Sequence, residues 1–222
     1  TVRVRMVNAS NAGYVALEGV EVIAHDRGLL AGPEDAVVLA PGDRAELAVR
    51  VDEAGLLESQ PFSVAGPGVG PALPLFPIAP VGTDPAPEPL DWGFSGALPS
   101  VDPGTTDLRY TFTGSPQGGW EINGATFPDI AIDTFPLGSS PILEVRNPSP
   151  ARHPYHLHGM PFEVLSIDGE PPALQRIEDT LDIGVQQTVR LRIDASNPGD
   201  WMSHCHILPH ADAGMMTVLR VE

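Results

Sequence analysis

Along the chain, apolar side chains recur at every second position in short runs and never settle into a helical repeat. Thr1–Val7, Ala36–Ala40, Ala45–Val51, Ile142–Val145 and Thr188–Ile193 are rich in β-branched residues and often alternate apolar with polar. Alternation puts one set of side chains on a buried face and the other toward water, the signature of a half-buried strand. Turn signals punctuate these runs at Pro41-Gly42-Asp43, Asp168-Gly169 and Asn197-Pro198-Gly199. No segment keeps a 3.6-residue period, which argues against a helical bundle. Short strands separated by Gly and Pro predict an all-β protein built of antiparallel sandwiches.

The pattern divides the chain into three parts. Between 66 and 104 prolines crowd together, at 67, 71, 74, 77, 80, 85, 87, 89, 99 and 103. Proline lacks a backbone donor, so this stretch reads as an extended connector. It also carries Leu73, Leu75, Phe76, Ile78 and Trp92, which need a surface to lie against, so it is expected to act as a strap packed along the domains. Residues 105–222 are long enough for a complete sandwich, whereas residues 1–65 fall short of the roughly 100 that one needs. That first part opens inside a strand, and Thr1 is not a methionine. Further sequence is therefore expected to supply its neighbouring strands, because an open edge would leave backbone groups unpaired.

Charge narrows the possible partners. The formal net charge is −17, and all 12 basic residues are arginine. Without a basic patch, neither nucleic acid nor an anionic membrane surface is an expected partner. No apolar run approaches the roughly 20 residues that cross a bilayer. No charged start followed by an apolar core marks a signal peptide. The acidity reads as a solvated surface. The single cysteine, Cys205, excludes an intrachain disulfide.

Six of the seven histidines fall in two clusters, His153-Pro154-Tyr155-His156-Leu157-His158 and His204-Cys205-His206-Ile207-Leu208-Pro209-His210. On a strand, His204 and His206 face one way and Cys205 the other; His156 and His158 share a face that His153 does not. Two sites emerge on opposite sides of one pair of strands. The first gathers His153, Cys205, His210 and Met215, ten residues after the cysteine. Two imidazoles, a thiolate and a weak thioether form the ligand set of a blue copper electron-transfer centre. There a cation lowers the thiol pKa, and the metal–sulfur bond opens a path for electrons. The second site receives His156, His158, His204 and His206, four imidazoles fit to hold part of a copper cluster. Only a few covalent bonds through Cys205 separate the two sites.

Those two motifs, read from His153 to Gly159 and from His204 to Gly214-Met215, resemble the carboxyl-terminal copper signatures of the multicopper oxidases, including laccases and bacterial metallo-oxidases. Val4-Arg5-Met6-Val7-Asn8-Ala9-Ser10-Asn11, Val22-Ile23-Ala24-His25-Asp26 and Pro41-Gly42-Asp43-Arg44-Ala45-Glu46 are similar to the family's middle cupredoxin domain. The resemblance implies cupredoxin-like Greek-key sandwiches, the middle one incomplete over 1–65 and the carboxyl-terminal one complete over 105–222. It implies type 1 copper on His153, Cys205, His210 and axial Met215, type 2 copper on His156, and type 3 copper on His158, His204 and His206. Cys205, His204 and His206 become the candidate catalytic residues. It further implies one-electron oxidation of phenols, aromatic amines or low-valent metal ions, coupled to four-electron reduction of dioxygen to water, in a periplasmic or secreted setting. The family's other four trinuclear histidines lie in an amino-terminal part, which must come as a second chain or an associated fragment. Bacterial relatives often place a proton-delivering glutamate where this chain has Ala211; Asp212 or a carboxylate from that other part would have to substitute.

Competing readings remain at several positions. Zinc also takes Cys and His, tetrahedrally. A copper electron-transfer or structural module without oxygen reduction is the alternative function, and a nitrite-reductase-like enzyme is disfavoured by the surplus of cluster ligands. His25 reads as structural; Tyr155, Trp201 and Phe162 read as packing, and Met6, Met160 and Met202 as core. Asp168, Asp179 and Glu121 read as solvated turn carboxylates before groups that shape a substrate site or orient the metal ligands. A hydrolase pair of Ser203 and His204 fails because strand neighbours face opposite ways.

Overall fold

In the computed structural model, which describes residues 1–51, 54–63, 72–80 and 104–222, the alternating runs pair into sheets. The amino-terminal unit contains β1 (Val2–Val7), β2 (Val15–His25), β3 (Gly28–Leu39), β4 (Arg44–Val49), β5 (Gly55–Ser59) and β6 (Leu73–Ile78). The carboxyl-terminal unit runs through β7 (Leu108–Ser115), β8 (Gly119–Ile122), β9 (Ile132–Phe135), β10 (Ile142–Arg146), β11 (His153–Leu157) and β12 (Phe162–Ile167). It continues with β13 (Ile177–Glu178), β14 (Thr180–Ile183), β15 (Thr188–Ile193), β16 (Gly199–Cys205), the short helix α1 (Leu208–Asp212) and β17 (Met216–Val221). None of the described helices is long and apolar enough to cross a membrane.

A four-stranded sheet ordered β1-β4-β2-β3 and the β5-β6 pair form the first unit. Its core is Leu17, Val22, Leu30, Leu39 and Leu47, and Leu75, Phe76 and Ile78 pack against it. Part of the proline-rich stretch is therefore a strand on the first unit, held to β5 with Pro74 opposite Glu58 and Pro77 opposite Leu56. Proline is tolerated because β6 pairs with one strand among the described residues and can turn its donor-less positions away from the ladder. Trp92 lies outside the described residues.

The second unit is a sandwich of a six-stranded sheet, β13-β12-β15-β10-β7-β8, and a five-stranded one, β14-β11-β16-β17-β9. Its strands show why alternation is legible. In β15, Val189, Leu191 and Ile193 are buried, while Arg190 and Arg192 lie between them on the other face. Most pairings are antiparallel; β7–β10 and β9–β17 are parallel. A parallel neighbour needs a crossover rather than a hairpin, and β7 reaches β10 by way of β9 in the opposite layer.

The two units are joined by polar and apolar contacts. Tyr14 and Ala40 are buried in the core of the second unit, and the Tyr14 hydroxyl donates to Asp182 at 2.9 Å. Asp26 accepts from the backbone amides of Asp179 (3.1 Å) and Thr180 (2.9 Å). Strand β14, which takes these contacts, pairs with β11, and β11 with β16, so the strands that carry the histidine clusters lie where the first unit braces the second.

Candidate metal centre

The β11–β16 pairing sets His156 opposite His204 and Tyr155 opposite Cys205. Alternation then sorts the side chains. On the core side, His153 Nδ1 and Cys205 Sγ lie 3.5 Å apart, Cys205 Sγ and His210 Nδ1 3.5 Å, and the two Nδ1 atoms 3.2 Å. Three donors converge on one point. His153 and Cys205 are fully buried and His210 half-buried, so His210 is the member nearest solvent.

His210 reaches this point because the chain turns tightly after β16. Pro209 lies in the first turn of α1, and the His210 and Ala211 amides both donate to the Ile207 carbonyl, at 2.9 and 3.1 Å. The Met215 amide returns to the His210 carbonyl at 3.0 Å, and the Cys205 amide donates to the Met215 carbonyl at 3.1 Å. Met215 is fully buried in the same apolar cluster as Cys205. Gly214, with φ of +98°, permits the reversal between them.

On the other side, donor atoms of His156, His158 and His204 lie within 4.8 Å of one another. His158 Nε2 and His204 Nε2 are 2.9 Å apart, and the His206 ring stands 5.4 Å from His156 and 5.6 Å from His204, between centroids. His206 belongs to this face, and its Nδ1 is buried without a hydrogen-bond partner among the described residues. Two rings have their outward nitrogens committed: His156 Nδ1 sits 2.9 Å from the Asp179 carbonyl, and His204 Nδ1 is 2.9 Å from the Cys205 carbonyl. As donors in those bonds, both keep the Nε2 lone pair free for a metal.

Electrostatics agree with this geometry. Burial, with the His210 imidazole adding, pushes His153 down to about 3, and burial pushes His210 down to about 4. Burial likewise takes His156 down to about 4 and lowers His158 and His204. All five rings are neutral near pH 7, the form that binds metal. Burial pushes the Cys205 thiol up, so its thiolate needs a cation beside it. Two neutral imidazoles and a buried thiol at these separations fit a soft metal ion, and the buried His206 nitrogen fits a ligand facing a second site.

Several contributors escaped the sequence reading. Trp120, on β8, packs against both imidazoles of the first group, with ring centroids 4.9 Å from His153 and 4.5 Å from His210. Gly42, with φ of +90°, cradles His206 so closely that a Cβ there would meet the ring at 2.6 Å. Asp179 is not the solvated turn carboxylate expected. It is buried, takes a pair of hydrogen bonds from Arg44 at 2.5 and 2.9 Å and another from Arg27 at 2.9 Å. Burial alone would raise its pKa; the two guanidiniums outweigh that and hold it below the usual range. Both arginines come from the first unit, which is why no local signal marked the residue.

Met202 also departs from the core expectation: it is 38% exposed, on the outer face of β16, whereas Met160 is fully buried. His25 is buried with Nε2 3.0 Å from a Glu34 carboxylate oxygen. Asp168 sits in a turn at φ +52° and accepts from the Thr188 amide at 2.8 Å, and Glu121 accepts from the Thr113 hydroxyl at 3.3 Å. Ala211 is buried in α1, and Asp212 beside it is exposed.

A family model described as "Multicopper oxidase" matches residues 101–222, more than half of the chain. The chain belongs to the multicopper oxidase family. "Multicopper oxidase MmcO" of Mycobacterium tuberculosis is 37% identical over 116 residues, which are 52% of this chain and 22% of that protein. "Multicopper oxidase mco" of Staphylococcus haemolyticus is 36% identical over 107 residues, 45% of this chain and 24% of that one. Among solved structures, a Campylobacter jejuni multicopper oxidase described as a metallo-oxidase superposes with a TM-score of 0.80 at 25% identity, covering 99% of this chain and 53% of its own. This multicopper oxidase chain therefore spans about half the length of that structure, and its matched segments span about a quarter of the two sequence relatives.

Proposed function

We propose that this chain is the carboxyl-terminal part of an oxidase, holding a complete type 1 copper site and half of a trinuclear site. His153, Cys205, His210 and Met215 would hold the type 1 ion; His156 would serve type 2 copper, and His158, His204 and His206 type 3. Copper so bound would supply one-electron redox chemistry, coupling the oxidation of a phenol, aromatic amine or metal ion to the reduction of dioxygen, with four electrons and four protons, to two waters. The observation that carries the reading is the split at positions 204 to 206, where adjacent residues of one segment serve donor groups on opposite faces.

The chain's own residues perform distinct tasks in this reading. His210, half-buried, offers the edge where a small reducing substrate can approach. The apolar cluster around Cys205 and Met215 excludes water from the sulfur. Cys205 is joined to both flanking histidines by peptide bonds, and its carbonyl accepts a hydrogen bond from His204 Nδ1 at 2.9 Å, tying the two groups through the backbone. Arg44, Arg27 and Asp179 steady the strand end that positions His156. The remaining trinuclear ligands would come from an amino-terminal part of the same oxidase, as a second chain or fragment.

Cys205→Ser tests the reading. The intense visible band of a Cu(II)–thiolate should vanish, while His25→Ala should keep it. A band that survives the cysteine substitution sinks the type 1 assignment. Copper counting with oxygen uptake on the assembled protein separates an oxidase, at four coppers with uptake, from an electron-transfer module, at one copper without.

A further inference from the structure

We propose that Ser149 and Asn147 form a one-way hydrogen-bond relay that sets the tautomer of His153, presenting its Nδ1 lone pair to the metal and favouring the oxidised ion. The inference rests on reading His153 as a metal ligand and names the positioning residues for that ligand.

The relay's direction follows from groups that can only accept or only donate. The Asn147 side-chain nitrogen lies 2.8 Å from the Ala151 carbonyl, 3.0 Å from that of Ile183 and 2.9 Å from that of Gly184. Carbonyls only accept, so this end of the amide is the NH2, and its oxygen must face the other way. That oxygen takes the backbone N–H of Ser149 at 3.2 Å, a donor, which fixes its identity a second time. The Ser149 hydroxyl then has acceptors for its single proton, the Asn147 oxygen at 2.7 Å and the Ala151 carbonyl at 3.2 Å. With that proton committed, the hydroxyl can only accept from its remaining neighbour, His153 Nε2, at 2.8 Å. Nε2 must carry the ring proton. Nδ1, which faces Cys205 Sγ at 3.5 Å and His210 Nδ1 at 3.2 Å, is left with a bare lone pair.

All three residues are buried, so water does not compete for these bonds. The anchor is equally firm: the Asn147 amide donates to Gln187 at 2.9 Å, and its carbonyl accepts from Gln186 at 2.8 Å. A buried N–H bonded to an oxygen raises electron density on the opposite ring nitrogen, which strengthens a bond to Cu(II) more than one to Cu(I). The relay also spares the metal the cost of moving a ring proton during binding.

The test begins with the metal-free full chain, where ring nitrogen-15 shifts report which nitrogen of His153 is protonated. We expect Nε2 protonated in the unaltered chain and in Ser149→Thr, which keeps the hydroxyl, and a loss of that preference in Ser149→Ala. In the copper-loaded chain, Ser149→Ala should weaken Cu(II) binding about tenfold relative to Cu(I), within the 10–100-fold range for such outer groups. That ratio corresponds to a reduction potential about 59 mV higher; Ser149→Thr should restore both values. A proton on Nδ1 in the unaltered chain overturns the relay without needing any variant to fold. So does a Ser149→Ala chain whose tautomer, affinity ratio and potential match the original. Absence of a copper–thiolate band in the unaltered chain would instead overturn the metal-centre reading, so the two failures are distinguishable.

Discussion

Gly42→Ala perturbs the candidate centre from the opposite unit. Residue 42 sits at φ +90°, and an added Cβ would lie 2.6 Å from His206 Cδ2, 2.8 Å from Cγ and 2.9 Å from Nε2. Ordinary contact starts at 3.4 Å, so the shortfall is 3.4 − 2.6 = 0.8 Å, against the flat of a ring rather than a flexible end. The turn cannot easily retreat: the Gly42 amide donates to Asn8 at 2.9 Å, the Asn8 amide to Asp43 at 3.0 Å, and Asp43 caps the Ala40 amide at 2.8 Å. His206 must therefore move by most of an ångström. Left-handed backbone costs an alanine about 1–2 kcal/mol, and overpacking adds about 1–3 kcal/mol, so the loss should be about 2–5 kcal/mol. Gly19→Ala is the control, since φ there is +67° with nothing within 4 Å of the added atom; it should show the backbone cost alone. Urea unfolding of both variants, with metal stoichiometry of the assembled oxidase, reads the difference. Equal destabilisation by the two substitutions, or a full metal complement in Gly42→Ala, would refute the claim that residue 42 shapes the seat of His206.

Two further outcomes are expected. Asp179→Asn removes the charge that Arg44 and Arg27 share and should cost about 1–3 kcal/mol, discounted because both arginines are partly exposed; the His156 ring resonances should shift while a Cys205-centred visible band stays. Asp43→Asn should change how stability depends on pH. Burial, aided by Asp26 and Glu178, raises the Asp43 pKa well above 3.8, so the folded chain holds this proton more tightly than the unfolded one. Its contribution is fully present below the unfolded value and is lost as pH rises through the folded one. The original chain should therefore lose stability relative to Asp43→Asn as pH climbs above the ordinary carboxylate range, read by urea titration at several pH values; a constant difference would show that Asp43 does not titrate in the fold.

What the sequence determined by itself was everything that depends on near neighbours along a strand. The side-chain period of two is a property of extended backbone, so the alternation at His204, Cys205 and His206 already assigns them to opposite faces. The same period makes β15 readable as sheet, and the ten-residue spacing from Cys205 to Met215 announces a loop that can close on an ion. Tertiary structure alone decided what came from afar. Asp179 looks like a turn carboxylate until Arg27 and Arg44, more than 130 positions away, arrive against it. Trp120 carries no mark of its role before β8 is laid beside His153 and His210. Ser149 stands only four residues before His153, yet its direction as an acceptor is set by carbonyls at 183 and 184. Local periodicity is written in consecutive residues, whereas desolvation, ring contacts and hydrogen-bond direction arise only when distant segments exclude water together.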